Sequence, residues 1–148
     1  MITAKDIELL RGLTKKDPVV ARLAGDKNSS ALIYSKWFVL ELPATLFDPE
    51  IKDWEEADDG AVAWRSVMPP GDGEYAQGVR WTNPEDNAAL VKLIADSGVA
   101  FIHSSLYDVV TKKLPEPEFR VFAGDQPHIA ILSAGVLVGG AAQVKLKT

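Results

Sequence analysis

The feature that most restricts the fold is a run of sixteen uncharged residues, 129–144, which contains three glycines. Sixteen residues are too few to cross a bilayer, since a spanning helix needs about 20 apolar residues. The run has no Gly-Lys-Ser/Thr signature and no GxGxxG sequence, so it is not typical of a phosphate-binding loop. Its β-branched content predicts two strands around a tight turn at Ala134–Gly135. The glycines Gly139–Gly140 then indicate a bulge or a close backbone contact.

The composition is that of a globular chain with a sizeable core. The 148 residues are 47% hydrophobic and 25% charged, and none of them is cysteine. The lack of cysteine excludes a disulfide framework, a thiolate zinc site and a cysteine nucleophile. We therefore expect one domain, residues 1–148, that folds without a metal or a disulfide.

The charge distribution argues against two classes of partner. The net charge is -5, and lysines and arginines are scattered rather than clustered. A nucleic-acid-binding domain usually carries a basic face, so we expect neither a nucleic-acid nor a membrane partner. The first residues, 1–13, lack the basic and apolar regions of a signal peptide. We expect a cytoplasmic protein or a component of a larger particle such as a phage.

Capping signals predict five helices. Thr3 and Asp6 have the spacing of a capping box, and Pro18 has the position of a first helical residue. Asn83 and Pro84 form a similar start, and Gly98 a stop. The predicted helices lie near 3–13, 17–24, 48–57, 84–96 and 105–113. The first two would form a helical arm or flank over residues 1–25, and the acidic helix 48–57 would present a solvated face.

Segments rich in β-branched and aromatic residues predict about six to eight strands. They include residues 31–43, 74–81, 99–103, 118–123 and the C-terminal pair. Together with the helices they predict an α+β fold: a single domain with a mixed or mainly antiparallel β-sheet, short N-terminal helices and two or three further helices.

Aromatic and basic residues alternate in a predicted hairpin over residues 61–81. One face would be aromatic and the other polar, and such a surface can stack a base or another ring. A set of core-facing aromatics is the commoner meaning of this pattern. The weak ligand-binding candidates are Trp64, Arg65, Tyr75, Arg80 and Trp81.

Two histidines give the only other candidate site. His103 ends a predicted strand just before a helix start at Ser104–Ser105, where backbone amides can bind an anion. With Asp108 and His128 it would form a weak catalytic set of His103, Ser104, Asp108 and His128. No sequence such as HExxH or GxSxG supports it, so no catalytic residue, metal ligand or cofactor is assigned. The commoner role is a partly buried histidine bonded to a nearby carbonyl.

These observations favour a non-enzymatic protein-interaction or assembly protein: an oligomer subunit, an inhibitor or an immunity-type partner, with self-association or a protein partner. The positive hints are the N-terminal helices, the uncharged C-terminal hairpin, whose edge can pair with another strand, and an acidic face. The alternative is a small enzyme or ligand-binding domain with a site near His103 and the hairpin 61–81.

Overall fold

The computed structural model describes residues 1–10, 19–22, 30–35, 37–51, 55–56, 63–67, 73–122 and 128–146. For residues 19–22, 55–56 and 67 it describes the backbone alone. The chain divides into two compact units, Met1–Met68 and Pro69–Thr148. The single domain over residues 1–148 stays a prediction.

The first unit is built on four strands, which are β1 Val19–Arg22, β2 Ser30–Tyr34, β3 Phe38–Pro43 and β4 Glu55–Glu56. Strand β1 pairs antiparallel with β2 and parallel with β4, and β2 pairs antiparallel with β3. Among the described residues of this unit, three short helical segments accompany them: α1 Ala4–Leu10, a 3-10 helix Ala44–Leu46 and α2 Trp64–Val67. Leu10, Leu32 and Leu40 are fully buried and form the centre of this unit's core.

The start of α1 shows the capping box that the sequence predicts. The Thr3 backbone amide donates to Asp6 Oδ2 at 2.8 Å, and the Asp6 amide donates to Thr3 Oγ1 at 3.3 Å. Just before it, Ile2 forms an isolated parallel bridge with Phe47. The bridge and the cap together fix the position of α1, and Ile7 and Leu10 are buried on one side of it.

The second unit contains six strands and one helix. They are β5 Glu74–Thr82, β6 Ala89–Ala95, β7 Gly98–His103, α3 Ser104–Lys113, β8 Pro117–Phe122, β9 His128–Ser133 and β10 Val136–Ala142. Every neighbouring pair in the order β10–β9–β8–β5–β6–β7 is antiparallel. Strand β5 joins the two halves, because residues 74–76 pair with β8 and residues 77–82 pair with β6.

The sheet of the second unit curls toward its own ends. The Val144 amide, just beyond β10, donates to the Phe101 carbonyl of β7 at 2.9 Å. Helix α3 packs against β6 and β7, and its residues Leu106, Val109 and Val110 are buried. No helix in the described parts of the chain is long and apolar enough to cross a membrane.

The α+β prediction is wrong. The described residues form mainly antiparallel strands with a few short helices, so the chain is close to all-β. Helix is confirmed at 4–10 within the predicted 3–13 and at 104–113 for the predicted 105–113. The strands β5, β7, β8, β9 and β10 lie where the sequence predicts strands. The single strand predicted over residues 31–43 is instead two strands, β2 and β3, which pair antiparallel.

The predicted helix 84–96 is the largest error. Its apparent start is a turn, in which the Asn83 side chain accepts from the Glu85 amide and the Asn87 amide donates to the Asn83 carbonyl. The residues that follow form β6, which pairs with β5 on one side and β7 on the other. Asn and Asp favour turns as well as helix starts, and here the pairing with two neighbouring strands decides the outcome.

Three other predictions of secondary structure are also wrong. Residues 19–22 of the predicted helix 17–24 form strand β1, where Val19 and Val20 suit an extended backbone. In the predicted helix 48–57, residues 49–50 form a turn and residues 55–56 form β4. The predicted first strand of the hairpin 61–81 contains the helical turn α2 instead. Residues 17–18, 23–24, 52–54, 57, 61–62 and 68–72 of these segments lie outside the described ranges, as do 11–13.

The C-terminal hairpin is confirmed. Strands β9 and β10 are joined by the two residues Ala134 and Gly135, whose φ angles are 50° and 79°. The register shifts between Leu137 and Gly139, which is the bulge that the glycines indicate. Strand β10 ends at Ala142, so the expected strand through residues 143–146 is not formed.

Candidate functional site

Strand pairing in the second unit defines a continuous face across three strands. Side chains of β5 alternate, so the odd-numbered residues from Tyr75 to Trp81 lie on one side of the sheet. Val79 pairs with Lys92, which pairs with Phe101, and Ile94 pairs with Val99. We call this side the outer face of β5–β7; its members are Tyr75, Gln77, Val79, Trp81, Leu90, Lys92, Ile94, Val99, Phe101 and His103.

The outer face is apolar and exposed. Tyr75 is 64% exposed, Val79 49%, and Ile94 and Val99 44% each. These four are half of the eight large apolar side chains that are exposed among the described residues. Isolated exposed apolar residues are common on protein surfaces, whereas a contiguous group marks a contact surface.

One end of the outer face has an aromatic cluster. The rings of Trp81 and Phe101 are 5.3 Å apart between centroids, and the Lys92 ammonium lies 4.9 Å from the centre of the Trp81 ring. The ammonium group itself therefore lies over the ring, in a cation–π contact. This end of the face is therefore apolar with a single positive charge.

The opposite side of the same strands is covered by α3. A Cβ atom at Gly78 would lie 2.6 Å from Tyr107 Cε2, so the ring rests directly on the glycine. The Tyr107 ring also stacks on Phe119, with centroids 5.3 Å apart. Arg80 pairs with Asp108 of the helix and lies over Tyr107. The sheet thus has one side packed against its own helix. The other side is exposed in its middle, but it is covered at Leu90, which pairs with Trp81 and is 2% exposed.

The five ligand-binding candidates belong to different units. Trp64 and Arg65 lie on α2 of the first unit, where both donate to the Glu41 carboxylate, at 3.3 and 3.2 Å. Trp64 is buried there, with Arg65 over its ring. Tyr75 and Trp81 are on the outer face of β5–β7, whereas Arg80 points to the helix side. Ligand binding by these residues stays a prediction.

The histidine candidates are dispersed over several elements. His103 occupies the position before α3 and is partly buried; burial lowers its pKa, and the charge of Asp86 offsets part of this shift. Ser104 and Ser105 are partly exposed, and Asp108 is bound by Arg80. His128 begins β9, is exposed and pairs with Phe122.

No hydrogen bond or ion pair joins these candidates to one another in the described ranges. Nor do the described residues include a group of three or more histidines and acids that could hold a metal ion. Catalysis at His103 stays a prediction.

Sequence reasoning found two members of the outer face, Tyr75 and Trp81, and did not place the others beside them. The alternation of Tyr75 and Trp81 along β5 is a signal that the sequence contains. Ile94 instead fits the buried stripe of a helix, because Leu90, Leu93 and Ile94 have a spacing of three and four residues. Once β6 is a strand, Ile94 moves to the side opposite Leu93 and becomes exposed.

No family model, curated protein or solved structure matches this chain. The functional argument therefore depends on the geometry of the outer face itself.

Proposed function

We propose that this chain is a non-enzymatic interaction protein that binds a protein surface through the outer face of β5–β7. The observation that carries the proposal is the exposure of Tyr75, Val79, Ile94 and Val99 side by side on paired strands. Covering such a group removes apolar surface from water, and this favours association against the entropy that the two partners lose on binding.

The residue types support a contact surface. Centres of protein interfaces are enriched in aromatic residues and contain few charges. Tyr75, Trp81 and Phe101 supply the aromatic area, and Lys92 is the single charged side chain among the named members. An oligomer subunit, an inhibitor, an immunity-type partner or a particle component would each use such a face, in the cytoplasm or in a larger assembly.

Site-specific photocrosslinking tests the proposal. A photoreactive amino acid replaces Val99 on the outer face. In the matched control it replaces Val136, a valine at the start of β10 that is 60% exposed. We expect a protein adduct of defined mass, identified by mass spectrometry, from position 99 only. The adduct should disappear when Ile94→Asp is added. Equal adducts from both positions, or none from either in the native cells, would contradict the proposal.

The alternative, a small enzyme or ligand-binding domain, is supported by one observation. His103 is partly buried, with a lowered pKa, at the junction of β7 and α3, and perturbed pKa values are common at functional sites. In this alternative His103→Ala leaves the melting temperature nearly unchanged and abolishes stabilisation by the bound molecule. If the unliganded His103→Ala variant is clearly less stable than the wild type, the histidine has a packing role instead.

A further inference from the structure

We infer that the partner on the outer face of β5–β7 is a second copy of this chain, with the two outer faces in contact. The two-fold axis would run between the faces, perpendicular to the strands, along the row Gln77, Ile94 and Val99. The strands of one copy would then be antiparallel to those of the other. The inference rests on the proposed function and names its occupant. It depends on how charges are placed around Ile94.

The central strand of the face carries opposite charges at equal spacing from its middle. Lys92 precedes Ile94 by two residues, and Asp96 follows it by two residues at the β6–β7 turn. Lys92 lies on the same side as Ile94, because side chains two residues apart in a strand share a side and are about 7 Å apart. Asp96 is exposed at the first position of the turn, one residue beyond the end of β6. Neither Lys92 nor Asp96 has an ion-pair partner among the residues that the structure describes.

A two-fold axis across the strands makes this arrangement self-complementary. The row Gln77, Ile94 and Val99 consists of directly paired residues, so all three would lie on the axis. Rotation about it places Ile94 on the same residue of the second copy and Val99 likewise. On β6 it places Lys92 of each copy opposite Asp96 of the other, and the pair forms twice because a two-fold contact is reciprocal.

The apolar residues on β5 fit the same operation. Val79 is two residues beyond Gln77 in one direction, and Tyr75 is two residues away in the other. The rotation therefore packs Val79 of each copy against Tyr75 of its partner. Facing sheets lie about 10 Å apart, a gap that aliphatic side chains fill and that a lysine side chain can bridge. A foreign partner would not require this symmetry of charge about Ile94.

Charge reversal at the two positions gives a decisive test. In Lys92→Glu, two glutamates face two Asp96 carboxylates, and in Asp96→Lys, four ammonium groups meet. We expect the wild type to be a dimer in sedimentation velocity. Each variant alone should form a dimer whose dissociation constant is at least about tenfold higher.

An equimolar mixture of the two variants should form a heterodimer. In it the introduced glutamate of one copy faces the introduced lysine of the other, and the unchanged Asp96 faces the unchanged Lys92. The double variant should regain the wild-type dimer.

Lys112→Glu is the matched control, because it makes the same charge change at an exposed position of α3. It should leave the dimer intact, and circular dichroism should show all variants folded. A wild type that stays monomeric at every concentration overturns the second copy as partner, whereas an adduct from Val99 to another protein would keep the proposed function. The inference would also be overturned if the charge reversals left the dimer affinity unchanged, or if the two variants failed to form a heterodimer when mixed.

Discussion

Gly78 decides how closely helix α3 approaches the sheet. The Tyr107 ring lies against the glycine and stacks on Phe119, and the Arg80 guanidinium lies 5.7 Å from the centre of the ring. The ring has little freedom to move away from a new methyl group. Among the described glycines this contact is the tightest, so it is the position where a single methyl group has the largest effect.

We predict that Gly78→Ala destabilises the protein by about 1–3 kcal/mol, the usual effect of overpacking a core. The φ angle of Gly78 is outside the left-handed region, so the loss comes from contact rather than backbone strain. Chemical denaturation measures the free energy of unfolding. The matched experiment repeats the change in a Tyr107→Leu background, where the alanine should have a much smaller effect. An equal loss in both backgrounds would contradict the role given to Tyr107.

His103 gives the fold a predictable response to acid. Burial lowers the pKa of its imidazole, so the unfolded chain binds the proton more tightly than the folded chain does. Stability is then highest above the unfolded pKa of about 6.5 and falls as the pH drops through that value. We expect His103→Gln to lose less free energy of unfolding than the wild type between about pH 7 and pH 5. His128→Gln is the control, and an equal change in that variant would argue against His103 as the source.

At the scale of elements, helix α1 is stabilised by its first turn. Thr3 and Asp6 satisfy each other's amides, and the seven-residue helix is too short to be stable by itself. We predict that Asp6→Ala lowers the free energy of unfolding by about 1 kcal/mol. Lys5→Ala, at an exposed position of the same helix, should have almost no effect in the same denaturation experiment. Similar losses from both variants would show that the cap is not the cause.

The β9–β10 turn contains a residue that is not the best one for its conformation. Ala134 has a φ of 50°, followed by Gly135 at 79°, and two-residue turns with positive φ at both positions favour Asn-Gly. We predict that Ala134→Asn stabilises the protein by about 0.5–1 kcal/mol, measured as a higher melting temperature. Ala134→Val should shift the melting temperature downward, because β-branched residues resist positive φ. A stabilising valine would contradict this account of the turn.

The elements show where sequence patterns were sufficient. The capping box of α1, the helix α3 and the C-terminal hairpin depend on signals within a few residues of each other, and all three are confirmed. Strand β6 carried an equally clear helix signal and is extended. Its backbone pairs with β5 and β7, which are distant segments that a local pattern does not contain.

At the scale of the whole molecule, the exposed outer face of β5–β7 should couple folding to association. A contact that forms only between folded copies stabilises them more at higher concentration. We predict that the melting temperature of the wild type rises with protein concentration and that Ile94→Asp abolishes this dependence. Val136→Asp changes an exposed valine outside the face and should retain it. A wild-type melting temperature that is independent of concentration would contradict the prediction.

The candidate site was only partly accessible from sequence. Alternation along β5 put Tyr75 and Trp81 on one side, as observed, but the predicted hairpin placed Trp64 beside them. That tryptophan instead lies on α2 and bonds to Glu41. The outer face became visible only when the register placed Val79, Lys92 and Phe101 in one row.

The sequence by itself determined the features that arise from neighbouring residues: the capped helix α1, helix α3, the turn at Ala134–Gly135 and the strand character of most β-branched segments. The tertiary structure alone decided that residues 89–95 are extended and that Ile94 faces outward. The reason is that a strand obtains its hydrogen bonds from partners far away in the chain, and the side of a sheet on which a residue lies depends on that pairing.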